Sequence, residues 1–150
     1  MDLKAIVLQN LGTERRLTRE TIAAMVDGDV AFKPTGEQMS FGAQALHLIT
    51  AQEALYQAFH DGTWVWERGL TLDRYPTLPS ILAAFDEMHS REMAYYGSLN
   101  PQDFGREIAT SWGPPEPMLQ MIMSFLAHEA HHRGQMVCYL RLKKMQPPKY

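Results

Sequence analysis

Proline and glycine gather in clusters along this chain, and the stretches between them carry apolar residues at helical spacing. The first stretch covers about residues 3–26, with Leu3, Val7, Leu11, Ile22 and Met25 on one stripe around a polar middle. Asp27-Gly28-Asp29 ends it, and Phe32-Lys33-Pro34-Thr35-Gly36 reads as a loop. Ser40 is suited to cap a second helix that carries Phe41, Ala45, Leu48, Leu55 and Phe59 on one side and closes at Asp61-Gly62-Thr63. Residues 64–77 form an aromatic-rich connection. A third helix starts near Pro79, a residue tolerated in a first turn, with the stripe Ile81, Phe85, Met88, Glu92, Tyr95 and Leu99. A connection rich in Gly and Pro, residues 100–117, leads to a last helix over about residues 118–144, whose Lys and Arg collect at the end that the helix dipole favours. No strong alternating strand pattern appears. The expectation is an all-α four-helix bundle with long connections, formed by residues 1–150 as a single domain.

The 150 residues are 45% apolar, enough for one core and short for two domains. A net charge of −3 with mixed signs gives no basic face for nucleic acid. One cysteine excludes an intramolecular disulfide framework and suits a reducing compartment. Met1-Asp2-Leu3-Lys4 has no apolar signal core, and no run approaches the roughly 18 apolar residues of a membrane span. The expectation is a cytoplasmic protein with no membrane partner.

Chemistry concentrates in His128-Glu129-Ala130-His131-His132 on the last helix. Residues four apart sit about 40° apart in azimuth and roughly 6 Å apart along the axis, so His128 and His132 can reach one metal ion. His-Glu-x-x-His also matches zinc proteases. That reading lacks its third ligand, because no Glu or Asp follows Glu129, Gly134 is out of place and position 138 is Cys138. A third donor must come from upstream. The inward stripe of the last helix reads Met121, Phe125, His128, His132, Gln135 and Tyr139, so both histidines occupy positions where apolar residues are expected. Burying them demands compensation, either a metal or hydrogen bonds to backbone or Glu.

His47 is the upstream donor best placed, aligned with Ala43, Ala51, Ala54 and Ala58, small residues that let a neighbouring helix approach. His60, at a helix end, reads as solvated; His89, after Asp86 and Glu87, as a partly exposed, ion-paired histidine. His131 belongs on the flank of the site or in support of a ligand. Glu92 is inward, as the partner of a buried Arg, a carboxylate holding a ligand histidine, or a base. Glu129 points about 100° from His128 and reads as exposed or ion-paired, Glu53 as facing away, and Arg133 as a structural ion pair. Gln135 shares the ligand stripe. Cys138 reads as a packed core thiol. Trp64, Trp66 and Trp112 pack the connections or wall a pocket. No catalytic residue is assigned.

Ser40-Phe41-Gly42-Ala43-Gln44-Ala45-Leu46-His47-Leu48 and His128-Glu129-Ala130-His131-His132-Arg133-Gly134-Gln135-Met136 together resemble the two histidine segments of the DinB-like four-helix metal proteins. The resemblance covers nearly the whole chain. It implies metal ligands at His47, His128 and His132, an up-down-down-up bundle and a homodimer. Ile6, Leu8 and Leu17, off the main stripe of the first helix, would suit such an interface. Three neutral nitrogen ligands leave a divalent ion room for water or substrate, and zinc or nickel suits imidazole best, with iron also admissible. The family's known activities imply a small-molecule substrate, with a low-molecular-weight thiol and S-transfer as the leading expectation. A metal-dependent hydrolase and a non-catalytic metal-binding stress protein are the alternatives.

Overall fold

The computed structural model describes residues 2–66 and 69–149. Among them are four α-helices: α1 (Leu3–Ala23), α2 (Phe41–Asp61), α3 (Leu78–Ser98) and α4 (Met118–Leu142). Local chemistry sets their ends. The Asp2 side chain accepts from the amides of Lys4 and Ala5, opening α1. Ser40 does the same for Ala43 at the start of α2, and Gly62, at φ +74°, ends that helix in the left-handed conformation that glycine adopts without a Cβ clash. Thr77 and Ser80 form a reciprocal capping box on α3, with Pro79 in its first turn. The first helix stops at Ala23, short of the expected Val26, and the last at Leu142, short of Lys144, which takes φ 58°.

The connection before α4 contains a feature the sequence reading did not expect. Glu107–Ile108 (β1) and Glu116–Pro117 (β2) pair antiparallel. Strands of two residues are too short to show an alternating pattern. Beside them, Trp64 N–H donates to Ala109 O at 2.8 Å, and Ala109 N–H donates to Gly62 O at 3.0 Å. These bonds tie the connection after α2 to the one before α4 and bring their tryptophans together.

Two apolar clusters give the helix directions. One gathers Ile22 from the end of α1 and Met25 just after it, Phe41 to Ile49 from the start of α2, Ile81 to Met88 from the first half of α3, and Met136 to Leu140 from the end of α4. The other gathers Val7 and Leu11, Leu55 to Phe59, Tyr96, and Met118 to Leu126. Thus α1 and α4 run one way and α2 and α3 the other, an up-down-down-up bundle. The principal packings are α1 on α3 and α4, and α2 on α3 and α4, so the diagonal pairs are α1 with α2 and α3 with α4.

The packing agrees with the expected ion pairs of Glu92 and Arg133 and revises other single-residue expectations. Because α4 lies against both α1 and α2, its fully buried face includes Leu126, Glu129, Arg133 and Met136, while the histidine stripe is half-buried along the α2 seam. Glu129 is therefore inside, 1% exposed, and paired with Arg15 of α1. Glu92 meets the same guanidinium at 2.9 Å. Arg133 pairs with Glu14 at 2.5 Å and donates to Thr18 Oγ1 at 3.1 Å. Cys138 is exposed, contrary to the expected core thiol, because it shares the outward face of α4 with His131, Gly134 and Arg141. Leu17 is buried in the core of its own chain, leaving only Ile6 and Leu8 half-buried on the expected surplus stripe.

Candidate metal centre

His47 sits on α2 in register with His128 and His132 on α4, and the small Ala43 and Ala51 one turn to either side keep that seam narrow. Their reactive atoms converge. His47 Nε2 is 3.2 Å from His128 Nε2, which is 3.1 Å from His132 Nε2. Nitrogens bound to one tetrahedral ion at the usual zinc–imidazole length of about 2.0–2.1 Å would lie roughly 3.3 Å apart. The three rings pack edge to face, with centroids 4.6–5.1 Å apart, and share one point rather than stacking. One donor atom from each histidine lies within 4.8 Å of the others, so the cluster could hold a metal ion.

The protonation states suit that use. Gln44 Nε2 donates to Gln135 Oε1 at 2.5 Å, which turns the Gln44 carbonyl oxygen toward His132 Nδ1. His132 thus carries its proton on Nδ1 and presents Nε2 as a lone pair. Burial holds His47 below the ordinary histidine pKa. Burial, then the neighbouring His47 and His131, lowers His128. His132 is pushed down to about 4, by burial first and then by the other three histidines. Neutral imidazoles are what a metal requires. His128 Nδ1 is buried with no hydrogen-bond partner, so the usual polar support for a ligand ring is missing there.

The remaining candidates fall outside the triad. His131 is exposed and accepts from Gln135 Nε2 at 2.9 Å, a flank position. Gln135 bonds to Gln44 and His131, and its side chain also acts directly on His132, opposing the fall in its pKa. Glu92 and Glu129 both face Arg15, and burial raises the Glu92 pKa against the opposing pull of Arg15. Glu53 pairs with Arg91. His60 is exposed between Tyr56 and Tyr95. His89 is partly exposed as expected, but of its acidic neighbours Asp86 is bonded by Arg19 at 2.7 and 2.8 Å, and His89 Nδ1 is buried without a hydrogen-bond partner. Gln44 is the functional position that sequence reasoning missed. It lies three residues before His47, one turn away on the same helix, which was the available signal.

A cavity of about 310 Å³ opens beside His47, between α2 and residues 69–73, with Trp66 on its wall. The Trp66 ring lies 6.1 Å from that of His47 and stacks on Trp64, which meets Trp112 edge-on and Phe125 at a tilt. A larger cleft of about 500 Å³ between α2 and α3 surrounds the Glu53–Arg91 pair and includes none of the three histidines. No helix among the described residues is long and apolar enough to cross a membrane.

Comparison with known proteins agrees with this fold. The family model of the DinB superfamily matches residues 10–136. Among solved structures, the chain is similar to a DinB-like protein from Bacillus subtilis, with TM-score 0.80 and 16% identity over 96% of this chain and 95% of that one. It is also similar to a DinB-like protein from Bacillus cereus, with TM-score 0.79 and 19% identity over 96% and 95%. At such identities the likeness carries the fold alone. No curated protein matches the chain.

Proposed function

The chain belongs to the DinB superfamily, and from its site we propose a divalent-metal-dependent enzyme whose ion is held by His47, His128 and His132. The observation that carries this reading is the convergence of three neutral Nε2 atoms beside a cavity that one of them lines. Zinc or nickel suits three imidazoles best. The reaction we favour is S-transfer from a low-molecular-weight thiol. When bound, the ion would supply Lewis acidity, lowering the pKa of a thiol donor.

The protein's own residues do the rest. His132 is fixed in the ligand tautomer by Gln44. The seam between α2 and α4 holds the donors in place without a conformational change. Trp66, Leu70 and Leu72 shield one side of the cavity, where a bound reactant would be drawn out of water. A hydrolytic reading would need a base beside the reacting water, and Glu92 and Glu129, the two inward carboxylates, are both held by Arg15.

Cobalt-substituted protein tests this proposal. Added thiol should change the visible spectrum, and a thiol-conjugation assay with a small electrophile should show turnover that a chelator removes. A spectrum indifferent to thiols, or turnover indifferent to the chelator, would contradict it.

A further inference from the structure

Three hydrogen bonds lead from Met39, on the wall of the cavity beside His47, to His132. Tyr139 is 4% exposed, and its hydroxyl donates to Met39 O at 3.0 Å. The same hydroxyl oxygen accepts from Gln44 Nε2 at 3.4 Å, and the Gln44 carbonyl oxygen faces His132 Nδ1. A backbone carbonyl only accepts. The one proton of the hydroxyl is therefore committed to Met39, and the phenol oxygen is left as an acceptor. That turns the amide nitrogen of Gln44 toward Tyr139 and its oxygen toward His132, whose Nδ1 must then carry the proton. Nε2 is the nitrogen left free.

The other contact of Gln44 does not settle this direction. Its Nε2 also donates to Gln135 Oε1 at 2.5 Å, but Gln135 continues to His131, an exposed ring whose nitrogens take either role. Gln135 and His131 could turn together to serve a reversed Gln44. Tyr139 could not. A reversed Gln44 would set its carbonyl oxygen against the lone pairs of the phenol oxygen, or the hydroxyl would leave Met39 O, which no other donor reaches among the described residues. Either change leaves an acceptor unmatched. Met39 itself is held in place. It directly precedes the Ser40 cap of α2, where Phe41 N–H donates to Phe32 O at 2.8 Å and Gly42 N–H to Val30 O at 2.7 Å. Phe32 in turn meets the Tyr139 ring edge-on, with centroids 6.0 Å apart.

We propose that Tyr139 is a positioning residue, whose hydroxyl passes the direction of the Met39 carbonyl through Gln44 and fixes His132 as the Nδ1–H tautomer. Its service to a metal rests on the reading above: Nε2 is the atom that meets His128, so the other tautomer would offer the ion a proton instead of a lone pair.

The test uses full-length, metal-free protein with isotope-labelled histidine at neutral pH, in which proton–nitrogen correlation spectra read the tautomer of each ring. His132 should be the Nδ1–H form in the wild type. Tyr139→Phe keeps the ring and removes only the hydroxyl. It should leave His132 a roughly even mixture of the two forms, because no acceptor-only group then directs Gln44. Phe32→Leu disturbs the packing of Tyr139 but keeps its hydroxyl, and should retain the wild-type form. Zinc affinity, read by competition with a chelating dye, should fall about twofold or more in Tyr139→Phe, since one form alone binds. Wild-type His132 protonated on Nε2, a Tyr139→Phe spectrum like that of the wild type, or a mixture in Phe32→Leu as well would overturn the proposal. So would a shifted tautomer with unchanged zinc affinity. A wild type that binds no zinc would end the metal reading and the positioning role with it, while the spectra still judge the chain of bonds alone.

Discussion

Gln44 decides which nitrogen of His132 is free. Its carbonyl oxygen receives the Nδ1 proton while its amide group is tied to Gln135 and, at 3.4 Å, to the Tyr139 hydroxyl, so neither the ring nor the amide can turn alone. Replacing Gln44 with Leu should lower metal affinity by roughly 10–100-fold, the usual cost of losing a ligand's polar support, as read by competition with a chelating dye. An unchanged affinity would show that the tautomer is set in some other way. The histidines also predict how acid acts on the metal-free fold. His132 titrates near 4 in the folded chain, against about 6.5 when unfolded. Between those values the unfolded chain binds more protons. Its contribution is therefore neutral above about pH 6.5 and increasingly destabilising as pH falls toward 4, with His47 and His128 shifted in the same direction. Urea midpoints of metal-free protein should fall between pH 7 and pH 5, less steeply in His132→Asn; a midpoint that rises on acidification would contradict the assignment. The spacing of His128 and His132 and the alanines around His47 made the histidines legible in the sequence. Spacing says which face a ring shares, not which nitrogen carries the proton, and so it left Gln44 unnoticed.

Among the elements, α1 is the one whose sequence concealed most. Glu14-Arg15-Arg16 reads as a polar middle, yet Leu11, Arg15, Thr18 and Ile22 form a buried stripe at four- and three-residue steps. Arg15 then faces Glu92 of α3 and Glu129 of α4, joining three helices through one guanidinium. The inward place of Glu92 was visible in its own stripe. Glu129 is ion-paired, one of its two expected alternatives, but it is buried rather than exposed, because packing against both α1 and α2 widens the buried face of α4. Arg15→Ala would leave two carboxylates buried without their cation and should cost roughly 3–5 kcal/mol. Arg15→Met combined with Glu92→Gln and Glu129→Met should recover most of that loss, because a neutral cluster has no charge left to desolvate. Chemical denaturation of the single and triple variants checks this. A single variant as stable as the wild type would mean that the cluster carries little of the packing of α1 on α3 and α4.

For the whole molecule, helix number and approximate ends follow from Pro and Gly clusters and caps, while the directions of the helices do not. The long connection of residues 62–77 is compatible with a parallel α2 and α3, but only the sorting of residues into two end clusters establishes it. The short β1–β2 pair and the seating of Leu72 on Gly42 arise from contacts remote in sequence, which no local pattern records. The central proposal concerns the α2–α4 seam: one divalent ion held by His47, His128 and His132. Metal analysis of purified protein, compared across two variants, tests it most directly. The wild type should carry about one equivalent of a divalent metal, His131→Ala should retain it, and His132→Ala should lose it while keeping its helical circular dichroism. Metal retained in folded His132→Ala and lost in His131→Ala would contradict the account.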